Sequence, residues 1–268
     1  MNLLLKTLMI VIVASLSTAN QAESQTMPSP IQPEQLYNYH QLGLVIGFGQ
    51  NFQSGKYYVD CDDCVFEDGV KFGFTIGLNY EYNLSNMINI GVMGLFDDFG
   101  LKNSFVENEK LNVTSDDGSY NEIITVPFRH TAEAKFTAFS IMPHIKFHPL
   151  KFVFFDLGFS MGIPLSSNIK HEKELTKTTA RLSNGAIVDI RIEGTQETKV
   201  VLEDKEFPEV NKPQFSIVPM IGLNFIVNKK IFLRPFFMYR LPISNYSDKG
   251  EDFMINSWRI MFELSLKL

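Results

Sequence analysis

The segment VKFGFTIGLNYEY (70–82) alternates without a break: Val70, Phe72, Phe74, Ile76, Leu78, Tyr80 and Tyr82 form one set, and Lys71, Gly73, Thr75, Gly77, Asn79 and Glu81 the other. Strict period two predicts a β-strand with one apolar and one polar face. Its span also exceeds the roughly 5–6 residues usual for soluble strands and fits a tilted bilayer crossing of roughly 9–11.

The same pattern extends on both sides of this segment. Upstream, 41–50 places Leu42, Leu44, Ile46 and Phe48 on one face; downstream, 88–96 does so with Ile88, Ile90, Val92 and Phe96. Four more segments alternate with the parity switched, at 137–147, 152–163, 215–227 and 231–241, and a last one at 258–268 has its apolar set at even positions again. The connections alternate in length, short at 83–87, 148–151 and 228–230 and long at 49–69, 97–136, 164–214 and 242–257. Outer-membrane barrels have this asymmetry, with short periplasmic turns and longer external loops.

The polar face decides between a membrane wall and a soluble sandwich or lipocalin. Glycines 43, 47, 49, 73, 77, 91, 158, 162 and 222 fall on it, with Lys71, Glu81, Lys146, Asp156, Arg234, Arg240, Glu263 and Lys267. Small residues interleaved with charges suit a narrow lumen filled by side chains. A lipocalin would place the apolar face inside. Aromatics near strand ends on the apolar face, among them Tyr80, Tyr82, Phe147, Phe225 and Trp258, fit an interfacial girdle. The expectation is an all-β, eight-stranded antiparallel up-and-down transmembrane β-barrel. Pro143, Pro219 and Pro235 fall inside expected strands, where each removes a ladder N–H and calls for a local bulge.

The ends and totals agree with export. Lys6 precedes the apolar run TLMIVIVASL (7–16), and small residues follow at 17–19 and 22. A run this short predicts a signal peptide over 1–22, cut near 19–22, and not a spanning helix. Residues 23–40, polar with three prolines, read as a periplasmic tail, leaving 41–268 as the barrel. Of 268 residues, 45% are apolar and the formal net charge is −6, which gives no reason to expect nucleic acid.

The stretches FEDGVKFGFTIGLNYEYNLS (66–85), FSIMPHIKFHPLKFVFFDLGFSMGIPL (139–165) and IFLRPFFMYRLPIS (231–244) resemble the outer-membrane β-barrel family of Bacteroidota, the PorT-like group within the OmpA/OmpX-type barrels. The likeness covers most of 41–268 and carries no catalytic signature. It implies outer-membrane localisation and permits a place in an envelope secretion or assembly machine. Leu268 stands where that family usually ends in an aromatic residue.

Candidate chemistry is sparse. Cys61 and Cys64, in DCDDC, could be a redox pair, half a metal site or a disulfide; in an oxidising envelope a disulfide is the expectation. His144 and His148 share the inner face with Ser140, which raises a lipid-modifying Ser–His hydrolase, but spacing shows no Asp or Glu to orient either ring, so lumen-filling histidines are expected. The acidic segment 51–69 sets Lys56 against Asp60, Asp62, Asp63, Glu67 and Asp68; it could hold Ca²⁺ or Mg²⁺ against lipopolysaccharide, though a solvated surface is the simpler reading. SDDGSY (115–120) and LSNGAI (182–187) carry hairpin signals, and strand edges there could recruit a partner by strand addition.

In the lumen, Arg234 and Glu263 are expected to face each other across their hairpin, and Lys146 and Asp156 across theirs. A confined interior tolerates paired charges far better than lone ones. The functional expectation is an outer-membrane protein of structural or partner-binding type, without enzymatic role, cofactor, metal or general porin activity. Its expected partners are outer-membrane lipid, lipopolysaccharide and a protein at the external loops. A secretion-machine component is the first alternative and a lipid hydrolase the second.

Overall fold

A computed structural model describes residues 38–58, 65–115, 118, 120–192 and 197–268. The expected signal peptide, the tail up to residue 37 and both cysteines, Cys61 and Cys64, lie outside the described residues. Asn38–Leu268 is one unit and is all-β. Its strands are β1 (His40–Tyr58), β2 (Val65–Phe66), β3 (Val70–Asn83), β4 (Ile88–Asp98), β5 (Leu101–Thr114), β6 (Asn121–Leu150) and β7 (Val153–Leu175). They continue with β8 (Thr179–Arg181), β9 (Ile187–Asp189), β10 (Lys199–Glu206), β11 (Gln214–Leu223), β12 (Phe225–Ile226), β13 (Ile231–Pro242) and β14 (Gly250–Lys267).

Twelve strands form one sheet and β8–β9 a separate hairpin. Pairing runs β10–β7–β11–β13–β14–β1–β3–β4–β6–β5, and β6 also pairs with β7, so the path meets itself there. All these strand pairs are antiparallel. One face is thereby enclosed and the other turned outward.

The outward face carries the apolar set. Opposed pairs such as Leu44 with Leu78, Ile46 with Ile76 and Phe48 with Phe74 lie side by side and exposed, the cross-strand contacts that stabilise a sheet face. Along β7 the exposed series runs Phe155, Leu157, Phe159, Met161, Ile163 and Leu165. At about 3.3 Å per residue and a tilt of roughly 40°, it forms a band about 25 Å tall.

The simple eight-stranded barrel with long external loops is corrected by this structure, which has fourteen strands in two sheets. The segments expected as loops hold β2, β5, β8, β9 and β10, and β12 follows β11. Much of the remainder belongs to longer strands: β6 has 30 residues and β7 has 23. Beyond the apolar band the faces exchange character. On β6 the inner residues become Val126, Phe128, Ala132, Ala134 and Phe136, while Arg129, Glu133 and Lys135 point outward. A search for apolar-out, polar-in alternation passes over such strands. On β7 the register against β6 slips between Thr137 and Ala138, which pair with Ser166 and Pro164. The extra residue, Leu165, moves the inward set from even to odd numbers, Ser167, Ile169 and His171, as a β-bulge does.

The three prolines sit within strands. Ladder rungs are missing beside Pro143 on the β7 side of β6 and beside Pro219 on the β13 side of β11, the sides to which proline cannot donate.

Candidate functional site

The enclosed face is a stack of polar and apolar layers, which can be followed along β6. Lys146 and His144 come first, then Met142, then Ser140, then Ala138, Phe136, Ala134 and Ala132, then His130, and last Phe128 and Val126.

The first polar layer joins six strands. Arg234 Nη1 donates to Glu263 Oε1 at 3.0 Å and to Glu81 Oε2 at 3.3 Å, and another of its nitrogens reaches Gln41. Lys146 bonds Glu81 most closely, with Glu263 at 3.7 Å and Asp156 at 4.0 Å. Thus Arg234 and Glu263 are rung partners and an ion pair. Lys146 and Asp156 are rung partners as well, but the lysine's main contact is Glu81, two strands away past Gly91 of β4. His144 Nδ1 lies 3.0 Å from Asp156 Oδ1, and its Nε2 lies 3.0 Å from Asn79 Oδ1. Asn79 Nδ2 donates to Glu81 and Glu263, so its oxygen faces the ring. Oxygen atoms of Asp156 and Asn79 thus face both ring nitrogens of His144. Glycines make the room: a Cβ on Gly91 would stand 2.5 Å from His144 Nε2, and one on Gly43 2.7 Å from Glu263 Oε1.

The Asp156 contact corrects the expectation that no carboxylate orients His144. Sequence spacing missed it because the partner stands across the β6–β7 turn. Ser140 does not join this histidine. Its hydroxyl donates to Asp97 Oδ2 at 2.9 Å, and so belongs to a second polar layer. There Arg240 donates to Asp97 at 2.9 Å and to Ser160 at 3.1 Å, and Thr75 donates to Asp97 at 2.7 Å. Arg259 reaches Asn51 at 2.5 Å and the Asp98 carbonyl at 2.9 Å. Asp97, Arg259 and Asn51 were not singled out by sequence reasoning. Arg259 had inward parity, but Asn51 and Asp97 fell in segments expected as loops, and alternation does not say which strands come together in an interior.

Apolar layers separate the polar ones. Val45, Met93, Leu95, Met142, Met238 and Met261 pack between the two, and Phe154 and Met220 of the same cluster lie level with the first. Above the second lie Tyr57, Phe66, Phe99, Phe136, Phe207, Tyr246 and Phe253 with small alanines. A last cluster, Val126, Phe128, Leu175, Ile190 and Ile192, caps the far end.

Burial pushes the Tyr57 and Tyr246 hydroxyls well above the usual tyrosine range. Burial, with the charges of His130 and Lys173, pushes His171 down to about 4. At the surface, Ser183 donates through hydroxyl and backbone N–H to Glu122 and holds that carboxyl below its usual range. Lys71, bonded at 3.0 Å, does the same to Glu133. In the acidic segment, Lys56 and Glu67 pair at 2.7 Å; Asp60, Asp62 and Asp63 lie outside the described residues.

The outer face of β6, β7 and neighbouring strands beyond the band carries a polar groove lined by Lys102, Ser104, Arg129, Thr131, Glu172 and Lys199. The free edges of this region belong to β5 and β10, the two ends of the pairing path.

Neither a protein-family model nor a curated protein matches this chain. Among solved structures it is similar to Ail, the attachment invasion locus protein of Yersinia pestis, at 15% identity and a TM-score of 0.31, over 86% of this chain and 99% of that one. It is similar to Neisserial surface protein A at 9% identity and a TM-score of 0.35, over 85% and 97%. It is also similar to the outer-membrane protease OmpT of Escherichia coli at 10% identity and a TM-score of 0.30, over 87% and 97%. These likenesses carry no residue role across.

Proposed function

We propose that this protein is held in the outer membrane by its apolar band, is sealed to solutes, and works through the strand extension beyond the band as a partner-binding surface. The observation that carries the reading is the filled interior. From Lys146 to Val126 the inner face of β6 meets packed side chains at every level. A conducting wall would keep an aqueous path; this chain fills it with ion pairs, methionines and aromatic rings.

Membrane anchoring rests on the outward rows of Leu, Ile and Phe, whose exposure to water would be costly at roughly 25 cal/mol per Å². The short connections at 84–87 and 151–152 then belong to the periplasmic side and the extension to the exterior. There the open edges of β5 and β10 offer unpaired backbone groups for strand addition, beside the charged groove. A place in an envelope secretion machine would use the same surface. A lipid-hydrolase role finds no support in the contacts of Ser140, which is committed to Asp97 and Arg240.

Planar-bilayer recording of the refolded protein tests the sealed lumen. No steady open state is expected, and a stable nanosiemens-scale pore would overturn the reading. For the surface, a photo-crosslinker placed at Val106 on the edge strand β5 of intact cells is expected to trap a discrete protein adduct; capture of lipid alone would remove the partner-binding role.

A further inference from the structure

His130 lies on the inner face of β6 beyond the band and is only 4% exposed. Its ring stacks on Phe105 at 4.9 Å and 6°. Nδ1 is 3.0 Å from His171 Nε2, but Nε2 has no hydrogen-bond partner among the described residues. A buried ring nitrogen left in that state is costly and calls for an explanation. This nitrogen points at two carboxylates from alternate positions of β5, Glu107 Oε2 at 3.7 Å and Glu109 Oε1 at 3.6 Å.

We infer that His130, Glu107 and Glu109 form a binding site for a zinc-like transition-metal dication, a role that goes beyond anchoring and partner binding. The spacing carries the first part of the argument. Contacts of 3.6–3.7 Å are too long for hydrogen bonds. Two donors about 2.0–2.2 Å from one ion, at angles between tetrahedral and trigonal, stand roughly 3.3–3.8 Å apart. The three donor atoms lie within 4.8 Å of one another.

Ligand chemistry carries the second part. One imidazole nitrogen with two carboxylates is a borderline set suited to zinc and its neighbours, whereas calcium and magnesium take oxygen alone. The outer contacts are those of a metal-bound histidine. His171 Nε2, 3.0 Å from His130 Nδ1, can accept the proton of that nitrogen, which leaves the Nε2 lone pair toward the carboxylates. Lys173 Nζ, 2.6 Å from Glu109 and 4.3 Å above the Phe128 ring, offsets one carboxylate and orients it. Glu107, 44% exposed, gives an entry path. The site sits between two apolar clusters, so a bound ion would tie β5 to β6 where the extension leaves the membrane.

The test is calorimetric titration of Zn²⁺ into the full chain refolded in detergent micelles, with Cys61→Ser and Cys64→Ser so that no thiolate competes. One saturable equivalent is expected. Glu107→Gln, at a half-exposed position that should not disturb folding, is expected to weaken it at least about tenfold, as is His171→Asn through the outer contact. His130→Gln should remove it. Absence of saturable binding would overturn the inference. So would an equivalent that survives both Glu107→Gln and His130→Gln, because the metal would then be bound elsewhere.

Discussion

Glu81 meets two cations at once, Lys146 and Arg234, with each side chain about 1% exposed. Removing one member of such a buried set leaves uncompensated charge, at a cost of roughly 3–5 kcal/mol. Glu81→Gln is therefore expected to lower the denaturant midpoint of the refolded protein substantially. Lys170→Gln, which removes an exposed pair with Glu172, should leave the midpoint in place; equal effects would mean that the interior layer is hydrated. Tyr246 is a different case. Its buried hydroxyl has no hydrogen-bond partner among the described residues, and burial raises its pKa. A raised folded value means that this group's contribution is complete below the unfolded pKa of about 10 and is lost as pH climbs toward the folded one. Tyr246→Phe is expected to preserve stability at neutral pH and to flatten the decline above about pH 10, read as midpoint against pH; an unchanged alkaline decline would assign it to other groups. How far these residues were legible follows from geometry. Parity alone turned Arg234, Glu263, Lys146 and Asp156 inward. It could not reveal that Lys146 reaches Glu81, 65 residues away in the chain, because that depends on β4 standing between β3 and β6 with the side-chain-free Gly91 at that level.

The eight segments with apolar residues on the outward side were readable because the outer and the enclosed faces make opposite demands on alternate residues. The strands beyond the band were not, and β5 and the first half of β6 show why. There the outer side meets water and the inner side an aromatic cluster, so the alternation survives with its sense inverted and its apolar members shrunk to alanine. The bulge at Leu165 adds a parity change that no periodic template contains. Because β6 is paired along both sides for most of its length, its amides from residue 121 onward are expected to be protected from hydrogen exchange almost as well as those within the band. Exchange of 121–134 at the rate of a free loop would show that the extension is not a persistent sheet. The free-edge amides of β5 and β10 should exchange sooner.

At the scale of the whole molecule, the alternating layers divide the work. Charged layers fix which strands oppose each other, since a misplaced partner leaves buried charge, while methionines fill irregular space with little geometric demand. Composition, with a mean hydropathy near zero, disguised all this, because the apolar side chains face outward and the polar ones inward. One feature also orders events in time. β1 and β14 are rung partners from Gln41 with Lys267 to Tyr57 with Gly250, so the two ends of the described chain must find each other across more than two hundred intervening residues. Contacts that distant are slow to form and stabilise nothing until they do. The wall therefore cannot be finished segment by segment as the polypeptide emerges. Until β14 arrives, the edges of β1 and β13 stay open, and the growing chain depends on being kept apart from its neighbours.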